Sequence, residues 1–274
     1  MMLTDITLGQ YFPGNSPVHQ LDPRTKIIAV LLIISAVLLA TNYLAYSLIL
    51  LFVLGVTWLS SIPFIMVAKS VKPLWMIILL TLIIHFFSTP GVTIVSLGPL
   101  TLTQEGVRQG TLMAARLVLL IVVSSLLTFT TSPIALTDAI ERLLKPFQKI
   151  GLPAHELAMM MTIALRFIPT LLDETDRIMK AQASRGADFT SGNIIKRSKN
   201  MIPLLVPLFV SAFRRADELA TAMEARCYRG GEKRTRMREL AFSGRDMAAF
   251  TLVLALFGIL VTLRLLLGGA LPVG

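Results

Sequence analysis

Long apolar stretches dominate this chain, and its charges cluster between them. From Ile27 to Ala68 there are 42 residues without an Asp, Glu, Lys or Arg. As one helix, at about 1.5 Å per residue, this run would reach about 63 Å, roughly twice the ~30 Å hydrocarbon core of a bilayer. The pattern therefore predicts two helices with a turn at Thr41-Asn42. Asp22-Pro23-Arg24-Thr25-Lys26 stands before the first, and Lys69 and Lys72 follow the second. A third apolar run covers Leu74 to Phe87, short for a full span unless it starts at Val71. Ser88-Thr89-Pro90-Gly91 then leads into "VTIVSLGPLTLT". Its alternation around Gly98-Pro99 predicts a small hairpin outside the bilayer. A fourth span is expected from Gly110 to Thr131 and a fifth from Met247 to Leu267.

Residues 132–246 have a different pattern. They hold 19 basic and 13 acidic residues, too many for them all to sit in lipid. Ser132-Pro133 opens a short helix that ends near Lys145-Pro146, and Pro153 suits the first turn of the next. That helix should run to Arg185. Leu157, Met161, Ala164, Ile168, Leu171 and Ile178 recur at helical spacing, and Gly186 is placed to stop it. A second long helix is predicted from Asn193 to Cys227, with Ile202, Leu205, Phe209, Ala212, Ala216, Leu219 and Met223 on its apolar side and Gly230-Gly231 at its end. A basic run, Lys233 to Arg238, leads to the last span. Pro169, Pro203 and Pro207 should bend the two long helices. Their charge reads as too high for crossing the bilayer, which suggests a cytoplasmic or interfacial platform. Met159, Met160, Met161, Met179, Met201 and Met223 add adaptable surface. Two such helices carry more apolar face than one mutual contact needs, so part of it should meet another chain.

The expected fold is thus all-α. A polytopic bundle of about five spans is divided into residues 1–131, a coupling-helix region at 132–246 and a final span at 247–274. Composition supports this: 54% hydrophobic and 15% charged residues, with a mean hydropathy of +0.73, exceed what one soluble core could bury. The net charge of +10 reads as basic cytoplasmic surface rather than a nucleic-acid site. An N-terminus inside the cell places 23 of the 26 Lys and Arg on the cytoplasmic side, leaving Arg108, Arg116 and Arg264 in the outer half. Snorkelling is the expected behaviour of Arg116 and Arg264. Met1 to Gln20 lacks the basic start and apolar core of a secretory signal.

No enzyme emerges from the residues. His155-Glu156-Leu157-Ala158-Met159 begins like a zinc-protease motif but has Met159 where the second histidine belongs. There is no phosphate-binding loop and no Gly-x-Ser-x-Gly. His85 is expected to cap or pack at the end of a span. The single Cys227 excludes an intrachain disulfide and a Cys-based metal site. No catalytic residue, metal or cofactor is expected on this chain.

Two stretches, "KAQASRGADF" (180–189) and "TAMEARCYRG" (221–230), instead repeat one arrangement 41 residues apart. Ala183, Ser184, Arg185 and Gly186 form one arginine motif; Ala225, Arg226 and Cys227 form the other. A cation at a helix C-terminus is favourable by about 0.3–1 kcal/mol, but lysine would serve there as well. Small neighbours also let a partner backbone approach a planar guanidinium. The residues alone leave both readings open. Together with "HQLDPRTK" (19–26), "LTQEGV" (102–107) and "LPAHELAMMMTIALRFIPTLLDE" (152–174), the two motifs resemble, over nearly the whole chain, the T component of energy-coupling-factor (ECF) transporters. Cys227 stands where that family more usually has Gly or Ser.

The resemblance implies a scaffold in a bacterial or archaeal cell membrane. It would hold two ABC-type ATPases, which bind ATP and Mg, and a small S component that captures a vitamin or metal ion. The arginine motifs would dock on the ATPases. Met160, Met161, Leu205, Phe209 and Met223 would face the S component. Two other classes are a conventional ABC permease that carries substrate itself and a membrane-embedded enzyme. The permease would not need a platform of this size, and the enzyme would need carboxylates or histidines within the spans. The charge split predicts that a cysteine at Ser96 is labelled by an impermeant thiol reagent outside intact cells, and one at Ser191 is not; the reverse pattern would invert the orientation.

Overall fold

A computed structural model describes residues 11–97, 100–151, 153–187, 189, 194–228, 230 and 242–268. Gly98-Pro99, Ser191, Asn193, Gly231 and the basic run Lys233–Arg238, all used in the sequence reading, lie outside them. The described residues are all-α apart from one hairpin, and the contacts cluster into two units: residues 140–238 of one, and residues 10–139 with 239–274 of the other.

The larger unit contains α1 (Pro23–Leu39), α2 (Tyr43–Leu59), α3 (Phe64–Val71), α4 (Trp75–Ser88), α5 (Gln104–Thr130) and α9 (Gly244–Gly268). The chain leaves α1 at Ala40 and enters α2 after Asn42, at the expected turn. The next corner comes earlier than expected: α2 stops at Leu59, and Ser61 takes φ +54°. The third apolar segment therefore runs from Phe64 to Ser88, with a single 3-10 turn at Lys72–Leu74. Lys69 and Lys72 lie within this helical segment rather than in a loop, because Pro73 falls in the first positions of the 3-10 turn, where its missing N–H costs no bond. The hairpin forms as expected. β1 (Thr93–Leu97) and β2 (Leu100–Thr103) pair antiparallel, with Leu97 opposite Leu100.

Among the described residues, four helical segments are long and apolar enough to cross a membrane: 64–88, 104–130, 154–184 and 244–266, with α2 a shorter apolar helix. The third of these, expected to be too charged to cross, reaches that length and composition only narrowly. Its hydropathy of 1.2 is the lowest of the four. Its charges crowd residues 173–180 and leave only Glu156 and Arg166 before them.

Packing follows from small residues and polar ties. The core joins Ile33, Val37, Ile49, Val53, Val123, Leu126, Phe129 and Val253 from α1, α2, α5 and α9. The most extensive helix contact among the described residues is α4 on α5, where Gly106 and Gly110 leave the room. A Cβ on Gly106 would lie 2.5 Å from the His85 carbonyl oxygen. The "LTQEGV" segment locks this corner. Thr103 Oγ1 accepts from the Gly106 amide at 3.1 Å and donates to the Thr89 carbonyl at 2.8 Å, and Glu105 accepts from the Val92 amide at 2.7 Å. His85 turns inward along its own helix, its Nδ1 2.9 Å from the Thr81 carbonyl.

Arg116 does not snorkel. Its guanidinium donates to the Tyr46 hydroxyl at 2.9 Å and to the Ala40 carbonyl at 3.1 Å, filling the acceptor at the α1 C-terminus. Gly106→Leu should disrupt the α4–α5 contact and cost about 1–3 kcal/mol, read as a lower unfolding temperature in detergent. Unchanged stability would mean that the two helices do not need this close approach.

Candidate functional site

The "HQLDPRTK" segment forms a polar knot in the larger unit. Asp22 caps α1 by accepting from the Arg24 amide at 2.9 Å, and Pro23 occupies the first helical turn. The Asp22 amide donates to Asp246 Oδ1 at 2.7 Å, and the other Asp246 oxygen accepts from the Ser243 amide and hydroxyl, both at 2.8 Å. Lys26 is buried and donates to the His19 and Thr130 carbonyls at 3.0 and 2.9 Å. Burial, aided by the nearby Lys26 charge, lowers the His19 pKa below its ordinary value. The neutral ring fits its partners: Nε2–H donates to the Phe12 carbonyl at 3.0 Å, and Nδ1 accepts from the Ser16 hydroxyl at 2.7 Å. This segment therefore joins the start of α1 to the start of α9 and the end of α5, and its role is architectural. Asp246 stands within the first turn of the last apolar helix, which starts three residues before the expected Met247.

The arginine motifs belong to the other unit, which holds α7 (Ala154–Ser184) and α8 (Ile194–Ala225) and receives the end of α6 (Pro133–Leu144). Both long helices continue through their prolines, Pro169 in α7 and Pro203 and Pro207 in α8. They run antiparallel. Arg215 of α8 pairs with Glu174 of α7 at 2.6 Å, while Tyr228, just past α8, lies 3.5 Å from His155 at the start of α7. His155 in turn meets Glu141 of α6 at 3.0 Å. The histidine that resembles half of a zinc motif is thus a tie between three elements. No group of His, Cys, Asp and Glu among the described residues could hold a metal ion.

This hairpin places Arg185 and Arg226 at opposite ends. Arg226 is two residues from Tyr228 and so near the start of α7, whereas Arg185 caps the far end of the same helix. The separation is about the length of α7, roughly 46 Å for its 31 residues. The backbone is the same at both ends. The Gly186 amide donates to the Ala183 carbonyl and the Ala187 amide to the Gln182 carbonyl, both at 3.0 Å. At the second site the Cys227 amide donates to the Glu224 carbonyl at 2.8 Å and the Tyr228 amide to the Met223 carbonyl at 3.0 Å. Both are Schellman caps with the arginine at the C-cap, followed by a left-handed residue: Gly186 at φ +87° and Cys227 at φ +55°.

This geometry gives Gly186 a reason independent of any partner. A Cβ there would meet nothing within 4 Å, so its small size serves the backbone angle rather than local space. It also corrects the end of α8, which stops at Ala225 and not at the later glycines. Ala183, Ser184, Arg185, Gly186, Ala225, Arg226 and Cys227 are all exposed.

The apolar faces of the hairpin are open as well. Ala154, Ala158 and Leu204 are buried, but Leu157, Met160 and Met161 of α7 are exposed. On α8, Ile202, Leu205, Val206, Phe209, Val210 and Phe213 form an exposed stripe, with Phe209 at 61% and Phe213 at 69% exposure. Met223 is half-buried. Mutual packing therefore covers little of these faces, and the sequence pattern had already separated the stripe from the charged face.

A helical bundle with several membrane-length apolar segments and a second, charged two-helix unit defines a multi-pass membrane protein. Comparison narrows the class: the family model described as cobalt transport protein, CbiQ, matches residues 14–237. The chain is 63% identical over 263 residues to the energy-coupling factor transporter transmembrane protein EcfT of Acidaminococcus fermentans, covering 96% of this chain and 98% of that one. It is 57% identical over 256 residues to the protein of the same name from Heliobacterium modesticaldum, covering 93% and 96%. With that of Bacillus subtilis it shares 49% over 264 residues, covering 96% and 100%. The chain belongs to this family of energy-coupling factor transporter transmembrane proteins.

The two caps differ in one testable respect. A left-handed conformation costs a non-glycine residue about 1–2 kcal/mol. Cys227→Gly should raise stability by about 1 kcal/mol, and Gly186→Leu should lower it by a similar amount, as read by thermal unfolding of the purified chain. A stabilising Gly186→Leu would contradict the cap geometry.

Proposed function

We propose that this chain is the scaffold and coupling subunit of an ECF-type importer, with its two arginine caps docking on two ABC-type ATPase subunits. The observation that carries this reading is the pairing of two exposed Schellman caps, each with an arginine at the C-cap, at opposite ends of one antiparallel hairpin. Two equivalent contacts a helix length apart suit two similar partners. A helix-end arginine needed only for the local dipole would call for neither repetition nor exposed small neighbours.

The guanidinium chemistry supports the same reading. A planar fork held at a rigid cap can grip a carboxylate or a set of carbonyls in a groove, and loss of one partner from a desolvated charged pair costs about 2–5 kcal/mol at an interface. The hairpin would act as a lever: closure of the ATPases on ATP shifts its two ends, and the antiparallel pairing transmits the motion along its length. The uncovered α8 stripe, with Met160, Met161 and Met223, would seat the S component that binds a vitamin or metal ion. ATP and Mg would sit on the ATPases. The positive-inside rule supports a cytoplasmic N-terminus and cytoplasmic caps.

Transport and ATP hydrolysis in the assembled complex test the role of the caps. Arg185→Lys and Arg226→Lys keep the charge and lose the fork, so each should reduce uptake at least about fivefold, the equivalent of about 1 kcal/mol, and the double variant more. Ala225→Leu should also fail. It probes crowding better than a change at Gly186, because residue 225 is helical and tolerates leucine. Near-normal uptake in both lysine variants would show that the arginines only complete helix ends.

A further inference from the structure

The larger unit contains an apolar groove. Helix α9 packs on α1, α1 on α5 and α5 on α2, but α9 and α2, at the two ends of this row, do not pack closely on one another. The space left between them is a cavity of about 530 Å³. The same short window of each helix lines it: residues 25–33 of α1, 51–59 of α2, 123–130 of α5 and 245–253 of α9. At about 1.5 Å per residue each window is about 12 Å long, close to the ~15 Å of hydrocarbon in one leaflet. These windows are the first turns of α1 and α9 and the last turns of α2 and α5. The groove therefore starts at one end of the bundle and stops near its middle.

Its polarity is graded along that depth. Ile33, Phe52, Val123 and Leu252 make the inner walls. Lys26 and Arg245 bring charge only to the outer end. Lys26 is turned onto the His19 and Thr130 carbonyls. The buried carboxylates at this end, Asp22 and Asp246, are engaged in the polar knot. Arg245 is exposed, and its guanidinium donates to the neutral Gln20 side-chain oxygen. The cation that faces outward at the mouth is thus free to exchange a neutral partner for an anion.

We infer that this groove holds one acyl chain of an anionic phospholipid, with the lipid phosphodiester paired to Arg245. An apolar slot one leaflet deep, with an arginine at its headgroup end, has the chemistry that distinguishes such a lipid from a zwitterionic one. The inference rests on the bundle lying in a membrane and not on the coupling role of Arg185 and Arg226.

Native mass spectrometry of the full chain tests it, after incubation with equal amounts of dioleoyl phosphatidylglycerol and dioleoyl phosphatidylethanolamine. One phosphatidylglycerol per chain should be retained, at least about fivefold over the zwitterionic lipid. Arg245→Gln should bring the two lipids to near parity. Gly55 lines the groove, and a Cβ on it meets nothing within 4 Å, so Gly55→Phe places a ring in the slot and should remove both lipids. Ala249→Phe fills it from the α9 wall and should do the same, which guards against a folding defect in either variant. Equal retention of both lipids by the wild type would overturn the proposal. So would phosphatidylglycerol retention unchanged by both filling variants.

Discussion

A hydrocarbon environment offers no water to backbone and side-chain polar groups, and this constraint organises the bundle. Its solutions are internal. Thr57, Ser60, Thr81 and Thr130 bond back to carbonyls four residues earlier in their own helices. Arg116 and Tyr46 both serve the Ala40 carbonyl, which the α1–α2 corner would otherwise strand. Lys26 does the same for two carbonyls at the opposite end of the bundle, and Asp246 anchors the start of α1 to the start of α9. Charged residues inside the apolar segments thus act as fasteners between elements that are far apart in sequence. Function has to be sought where polar groups are exposed instead.

The hairpin of α7 and α8 is one place where that occurs. Its apolar stripe is uncovered and its arginine caps are exposed; among the described residues, Arg215 pairs with Glu174 between the helices and His155 makes its contacts at one end. A unit that buries so little of its own apolar surface is suited to binding other chains. The Schellman caps fix the backbone next to each arginine, so a force applied at the guanidinium passes into a long rigid helix rather than into a loose loop.

Much of this was legible in the sequence. The turn at Thr41-Asn42 followed from length alone, because one helix of 42 residues cannot fit a bilayer. The hairpin at 93–103 followed from alternation, and Gly186 marked the end of α7. Other features left no local trace. The α2–α3 corner at Ser60-Ser61 lies inside a run without charged residues, so charge gave no sign of it. The partners of Arg116 are on residues 40 and 46, and no pattern around residue 116 points to them. Cys227 adopts the angle that Gly186 adopts, but a cysteine does not announce a left-handed cap. The two arginine motifs look alike in sequence because they share small neighbours; in space they share a backbone geometry, which is the stronger likeness.

Photo-cross-linking in the assembled complex tests the central claim most directly. A photoreactive residue replacing Ala183 or Ala225, each one turn or less from its arginine, should yield an adduct with an ATPase subunit. A chain carrying both should link two ATPase subunits at once. Capture of an ATPase at one position only, or of lipid and the S component at both, would contradict a hairpin that docks one ATPase at each end.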